Sequence, residues 1–127
     1  MRRNIALEKS EDFGVRIVEL YKYLYKQKAP EPIITQITKS GTSIGANLYE
    51  ASNAITDKDF QAKVYISLKE CSETKFWLRI LKRTNYLPEN LYNSLYSECE
   101  EIYKILAATT RTLRDRFQNK KPNLKDL

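Results

Sequence analysis

Glu70 and Glu73 are the side chains in this sequence whose types and spacing best suit chemistry, and Glu50 is a third carboxylate that could join them. Carboxylates three apart on a helix are neighbours, and such a pair can work as general acid and base. The chain has no His, which removes the commonest general base and metal ligand. Cys71 and Cys99 are isolated, so they do not make a zinc site. They fall on apolar helical faces and read as reduced core thiols. The other candidate is Ser40-Gly41-Thr42-Ser43-Ile44-Gly45, read as a loop that cradles phosphate. It lacks the Gly-Lys-Ser/Thr ending of a P-loop, and no strand-like run precedes it.

A structural role suits the carboxylates better. Glu70 falls in the apolar arc of its helix, with Glu73 at the edge. A buried carboxylate without donors is costly. Ser40, Ser43 and Asn47 on the preceding helix are placed to satisfy Glu70, so Ser40, Ser43, Asn47, Glu70 and Glu73 are expected to form one polar network. No catalytic residue, metal or cofactor is expected.

The charge balance points to binding. With 22 Lys and Arg against 16 Asp and Glu, the net charge is +6, a balance that favours polyanions or acidic partners. Basic residues gather in two places. One is Lys75, Arg79, Lys82 and Arg83, interleaved with Tyr65 and Phe76, which could stack on bases. The other is Arg111, Arg114 and Arg116 followed by Lys120, Lys121 and Lys125, expected at the end of the fold that also holds Lys58, Arg2 and Arg3. Both clusters are candidate nucleic-acid contacts, weighed against a solvated charged face. No helix-turn-helix, zinc-finger or other reader signature accompanies them, so little sequence specificity is expected.

The elements that must position these groups are helical. Phe13, Ile17, Leu20 and Leu24 step by three and four, with Val18, Tyr21 and Tyr25 widening the stripe. Ser10, followed by Glu11 and Asp12, is the expected N-cap, and residues 1–9 are a basic lead. Ala29-Pro30-Glu31-Pro32 ends that helix. Ile37, Gly41, Ile44, Leu48, Ala51 and Ile55 make the second stripe, and its small residues would let a neighbouring helix approach closely. Thr56-Asp57-Lys58-Asp59 resembles a capping box and opens a third helix on Phe60, Val64, Leu68, Cys71, Leu78 and Leu81. Asn85-Tyr86-Leu87-Pro88 breaks it. The fourth carries Leu95, Cys99, Ile102, Leu106, Thr109, Leu113 and Phe117. The expected helices are 10–28, 32–54, 57–85 and 88–118, forming one domain over 1–118, with a basic disordered tail at 119–127. Short connections between long helices predict an all-α fold, an antiparallel up-down-up-down four-helix bundle. Nine tyrosines, six of them on the first and fourth helices, favour an oligomer interface on an outer face. No apolar run suits a secretory signal or a membrane span, so a cytoplasmic protein is expected.

The order of these features resembles a known family. Lys39-Ser40-Gly41-Thr42-Ser43-Ile44-Gly45-Ala46-Asn47-Leu48 is followed by Glu50-Ala51, Asp59-Phe60 and Leu68-Lys69-Glu70-Cys71-Ser72-Glu73-Thr74-Lys75-Phe76-Trp77-Leu78. This pattern, over nearly the whole chain, resembles the four-helix-bundle proteins encoded in intervening sequences of bacterial 23S ribosomal RNA genes. It is also similar to the accessory variability proteins of diversity-generating retroelements. Phe76 stands where that family usually has Tyr. The resemblance implies a homo-oligomeric ring, typically a homopentamer. For the retroelement relatives it implies a basic surface that binds RNA or DNA and a reverse transcriptase partner. It implies no catalytic residues. The expected function is a non-enzymatic, oligomeric nucleic-acid-associated module; the alternative is a structural or protein-interaction scaffold whose charge is incidental.

Overall fold

Four helices account for nearly all of the described chain: α1 (Ile5–Lys26), α2 (Glu31–Ser52), α3 (Asp57–Arg83) and α4 (Glu89–Lys120). The structure is a computed structural model and describes residues 4–120. Each helix packs on the two beside it, α1 on α2, α2 on α3, α3 on α4 and, most sparsely, α4 back on α1. This is the expected antiparallel four-helix bundle. Among the described residues there is no strand, and no helix is long and apolar enough to cross a membrane.

The first helix starts earlier than expected. Asn4 caps it, its side-chain oxygen accepting from the Leu7 N–H at 3.0 Å, and Glu8 supplies the first-turn acid. Ser10 is therefore not an N-cap; it is a buried helix-interior residue, 1% exposed. Thr56 does cap α3, accepting from the Asp59 N–H at 3.1 Å. Two helices end in the same way. Lys28 and Asn85 adopt left-handed φ of 58° and 66°. The N–H groups of Ala29 and Tyr86 then reach back to the carbonyls of Leu24 and Leu81 at 3.1 and 2.9 Å. This is the Schellman arrangement, which satisfies carbonyls that the helix end leaves free. Pro32 sits in the first turn of α2, where its missing N–H costs nothing.

The core runs at steps of three and four. Ser10, Phe13, Ile17, Leu20 and Leu24 of α1 are buried. So are Ile34, Ile37, Ser40, Gly41, Ile44, Leu48 and Ala51 of α2, and Val64, Ser67, Cys71, Thr74, Leu78 and Leu81 of α3. From α4 the core takes Leu95, Cys99, Ile102, Leu106, Thr110 and Leu113. Thr110, not Thr109, is thus the buried threonine. Ile55, expected in the α2 stripe, lies beyond that helix and is 95% exposed.

The small residues of α2 do what their spacing implied. A Cβ at Gly41 would stand 2.7 Å from Ile17 Cγ1, and one at Gly45 would stand 3.2 Å from the Ser10 carbonyl oxygen. The glycines let α1 lie close against α2. The phosphate-loop reading of this stretch is excluded: it is unbroken helix, and no described glycine has positive φ.

Candidate nucleic-acid interface

The first basic cluster divides into two kinds of residue. Lys75 points across to α4, where its Nζ lies 2.6 Å from Glu100 Oε2 and 4.2 Å from the centre of the Tyr103 ring. Its side chain is 18% exposed. Burial works against the charge of Lys75, but the hydrogen bond and negative charge of Glu100 outweigh it and raise its pKa. Lys82 sits over the Tyr92 ring at 4.6 Å, an attractive cation–π placement. Both lysines of the expected nucleic-acid cluster therefore already have partners across the α3–α4 contact. Arg79 and Arg83 are different. Both are exposed, and neither forms an ion pair among the described residues.

These arginines line a cavity of about 330 Å³ between α3 and α4, together with Ser72, Lys75, Phe76, Ile80 and Tyr96. Phe76 is 53% exposed, its ring set edge-on to Trp77 at 4.9 Å and 74°. Tyr96 stacks obliquely on Tyr92 at 5.3 Å. Tyr65 is exposed on the same helix but does not line this cavity.

The second cluster lies at the opposite end of α4. Arg111, Arg114 and Arg116 are exposed and form no ion pair among the described residues. Arg116 borders a shallow depression with Phe60 and Leu113, which places the cluster beside the start of α3 and Lys58, as expected. Lys120 is the last residue of α4. Asn119 and Lys120, expected in the disordered tail at 119–127, instead complete α4; Lys121, Lys125, Arg2, Arg3 and the rest of that expected tail lie outside the described residues.

The polar network exists, but with other members. Thr74 Oγ1 stands 3.0 Å from Ser40 Oγ and 2.8 Å from the Glu70 carbonyl oxygen, in hydrogen-bond contact with both. Ser67 donates to the Ile44 carbonyl at 2.9 Å. These two buried hydroxyls join α3 to α2. Ser43 and Asn47 instead donate to carbonyls of their own helix, of Lys39 at 2.6 Å and Ser43 at 2.8 Å. The Glu70 side chain is only half-buried, and Glu73 is exposed. Burial, and next the charge of Glu73, raise the Glu70 pKa, with Lys39 and Lys69 opposing. Glu50 is engaged elsewhere, accepting from Lys63 Nζ at 3.2 Å. The expected carboxylate-centred network is thus a hydroxyl-centred one. Ser67 and Thr74, though polar, occupy the same three-four steps as Val64, Cys71 and Leu78.

The cysteines are free and buried. Cys99 donates to the Cys71 carbonyl at 3.5 Å. Contact with the Cys99 thiol, together with burial, pushes the Cys71 thiol far up, away from the reactive thiolate. Among the described residues no group of three or more His, Cys, Asp or Glu could hold a metal.

Comparison with known proteins agrees with this architecture. The model of the 23S rRNA-intervening sequence protein family matches residues 2–108. The chain belongs to that family. A crystal structure of a protein of unknown function from the S23 ribosomal protein family of Bacteroides thetaiotaomicron is 42% identical. It superposes with a TM-score of 0.81, covering 84% of this chain and 98% of that one. No curated protein matches the chain. The family match includes Phe76, Arg79 and Arg83 and ends before Arg111, so the two basic clusters stand differently towards it.

Proposed function

We propose that this family member is a non-enzymatic, cytoplasmic binding module that associates with nucleic acid as an assembly of several copies, reading charge and shape more than sequence. The observation that carries this is the division among its cations. Lys9, Arg16, Lys22, Lys63 and Lys75 are paired with carboxylates, whereas the exposed Arg79, Arg83, Arg111, Arg114 and Arg116 form no ion pair among the described residues. Unpaired arginines are suited to phosphate, which the planar guanidinium grips with two parallel bonds. Val15, Val18, Tyr21 and Tyr25 leave an apolar strip on the outside of α1, 42–63% exposed, which supports self-association, with a pentamer as the expected size. A ring would repeat each arginine patch around its axis and raise the local potential.

The test is light scattering on the purified protein with a short RNA and a short DNA at two salt concentrations. The reading expects a mass of several subunits and binding that fades as salt rises, because neutralised phosphates release counterions. An assembly that ignores both nucleic acids at low salt would leave a scaffold for a protein partner, such as a reverse transcriptase. A monomer would overturn the assembly.

A further inference from the structure

Resting on the reading that this chain binds nucleic acid, we infer that the α3–α4 cavity is a subsite for single-stranded nucleic acid: an unpaired base stacks on Phe76, and backbone phosphates sit on Arg79 and Arg83. Phe76, Arg79 and Arg83 are one turn apart in succession and share one edge of α3 with the cavity. At 1.5 Å rise per residue the arginines lie about 6 Å apart along the helix axis. Like charges one turn apart repel, and here no carboxylate lines the cavity to offset them. The nearby acid, Glu100, is held by Lys75 at 2.6 Å. The site therefore offers two uncommitted guanidinium groups and has no built-in anion of its own.

The aromatic part decides between strands. Phe76 is 53% exposed, and its ring meets Trp77 edge-on. A base can stack on such a ring only when it has left its own duplex, so the site favours single strands and tolerates any base. Tyr96 closes the far wall from α4. Among the described residues the second cluster has no comparable ring: Arg116 borders a depression whose aromatic residue, Phe60, is partly buried against the core. That end is equipped for phosphate alone and would not distinguish single strand from duplex.

The experiment is fluorescence anisotropy of the full-length chain with a labelled single-stranded oligothymidine and a duplex of equal length, at low and moderate salt. Four variants are compared: Phe76→Leu, Phe76→Tyr, Arg79→Ala with Arg83→Ala, and Arg111→Ala with Arg114→Ala. Phe76→Leu is expected to weaken single-strand binding about tenfold or more and to leave duplex binding unchanged. Phe76→Tyr, which keeps the ring, is expected to bind like the parent. The Arg79 and Arg83 pair is expected to weaken both ligands and flatten the salt dependence. Normal single-strand binding by Phe76→Leu, with a loss in the Arg111 and Arg114 pair, would overturn the subsite and leave nucleic-acid binding standing. No binding by the parent protein at low salt would overturn the broader reading as well. A change of assembled mass in Phe76→Leu would show that a second copy covers the ring, and would overturn the subsite too. Because Phe76 is half-exposed, thermal melts of the variants are expected to match the parent.

Discussion

Gly41→Ala and Gly14→Ala should move stability in opposite directions. Both add one methyl to a helix-interior glycine, and in isolation each gains about 1 kcal/mol of helix propensity. At Gly14 nothing lies within 4 Å of the new Cβ, so that gain should appear almost whole. At Gly41 the methyl would meet three atoms of Ile17 at 2.7, 2.8 and 3.0 Å, against the roughly 3.5–4.0 Å of an ordinary carbon contact. Ile17 is fully buried and branched at Cβ, so it cannot swing aside cheaply. Overpacking of this kind costs about 1–3 kcal/mol, leaving a net loss of about 1 kcal/mol and a gap of about 2 kcal/mol between the variants. Chemical denaturation of both, with unchanged m-values, measures it. A double-mutant cycle isolates the cause: in an Ile17→Ala background, Gly41→Ala should become neutral or stabilising. If Gly41→Ala is as stable as the parent, or its cost survives removal of the Ile17 side chain, close approach of α1 to α2 is not what this glycine serves.

Ser10 Oγ is buried with no hydrogen-bond partner among the described residues, so Ser10→Ala should stabilise the fold by about 1 kcal/mol in a urea melt. Lys28 holds a left-handed φ of 58°, which costs a side-chain-bearing residue about 1–2 kcal/mol. Lys28→Gly should therefore raise stability by about 1 kcal/mol, and a loss would show that the Lys28 side chain has a role of its own. Burial and the Glu73 charge raise the folded-state pKa of Glu70. The folded chain then binds that proton more readily than the unfolded one, and stability falls as pH rises from the ordinary carboxylate value through the raised one. Glu70→Gln should raise Tm at pH 7, with the difference shrinking towards zero below the ordinary carboxylate range; a difference independent of pH would contradict the assignment.

The architecture was legible because its signals are local and mutually consistent. Apolar steps of three and four, prolines in the connections and a Thr56 cap all point to the same four helices. Where the structure departs from the expected pattern, the position of a polar residue outweighs its type. Ser10 looks like a cap, but Asn4 is as good a cap and lies just before Ala6 and Leu7, which extend the apolar face by a turn. Ser67 and Thr74 look like surface residues, yet a hydroxyl that bonds to a facing helix can be buried where an aliphatic would otherwise stand. Glu70 looks like the centre of a network because its angular position is near the core. Its carboxylate is long enough to stay half in solvent, and the shorter hydroxyls fill the interface. The basic cluster was visible as a run of charge, but which of its members are spent was not. That depends on Glu100, Tyr92 and Tyr103, which only the pairing of α3 with α4 brings opposite Lys75 and Lys82.

The thin contact between α1 and α4 has a consequence for how the chain folds. Three of the four packed faces join consecutive helices through short connections, and each can zip up as a hairpin with little loop entropy to overcome. The fourth joins the two ends of the bundle. Its Arg16–Glu98 ion pair bridges 82 positions of sequence, with Lys9–Glu101 beside it. Closing so large a loop is the costliest contact in entropy, and it falls where there is least packing to reward it. The α1–α4 face should therefore form late, after the transition state. Substitutions there are expected to speed unfolding while leaving the refolding rate nearly unchanged.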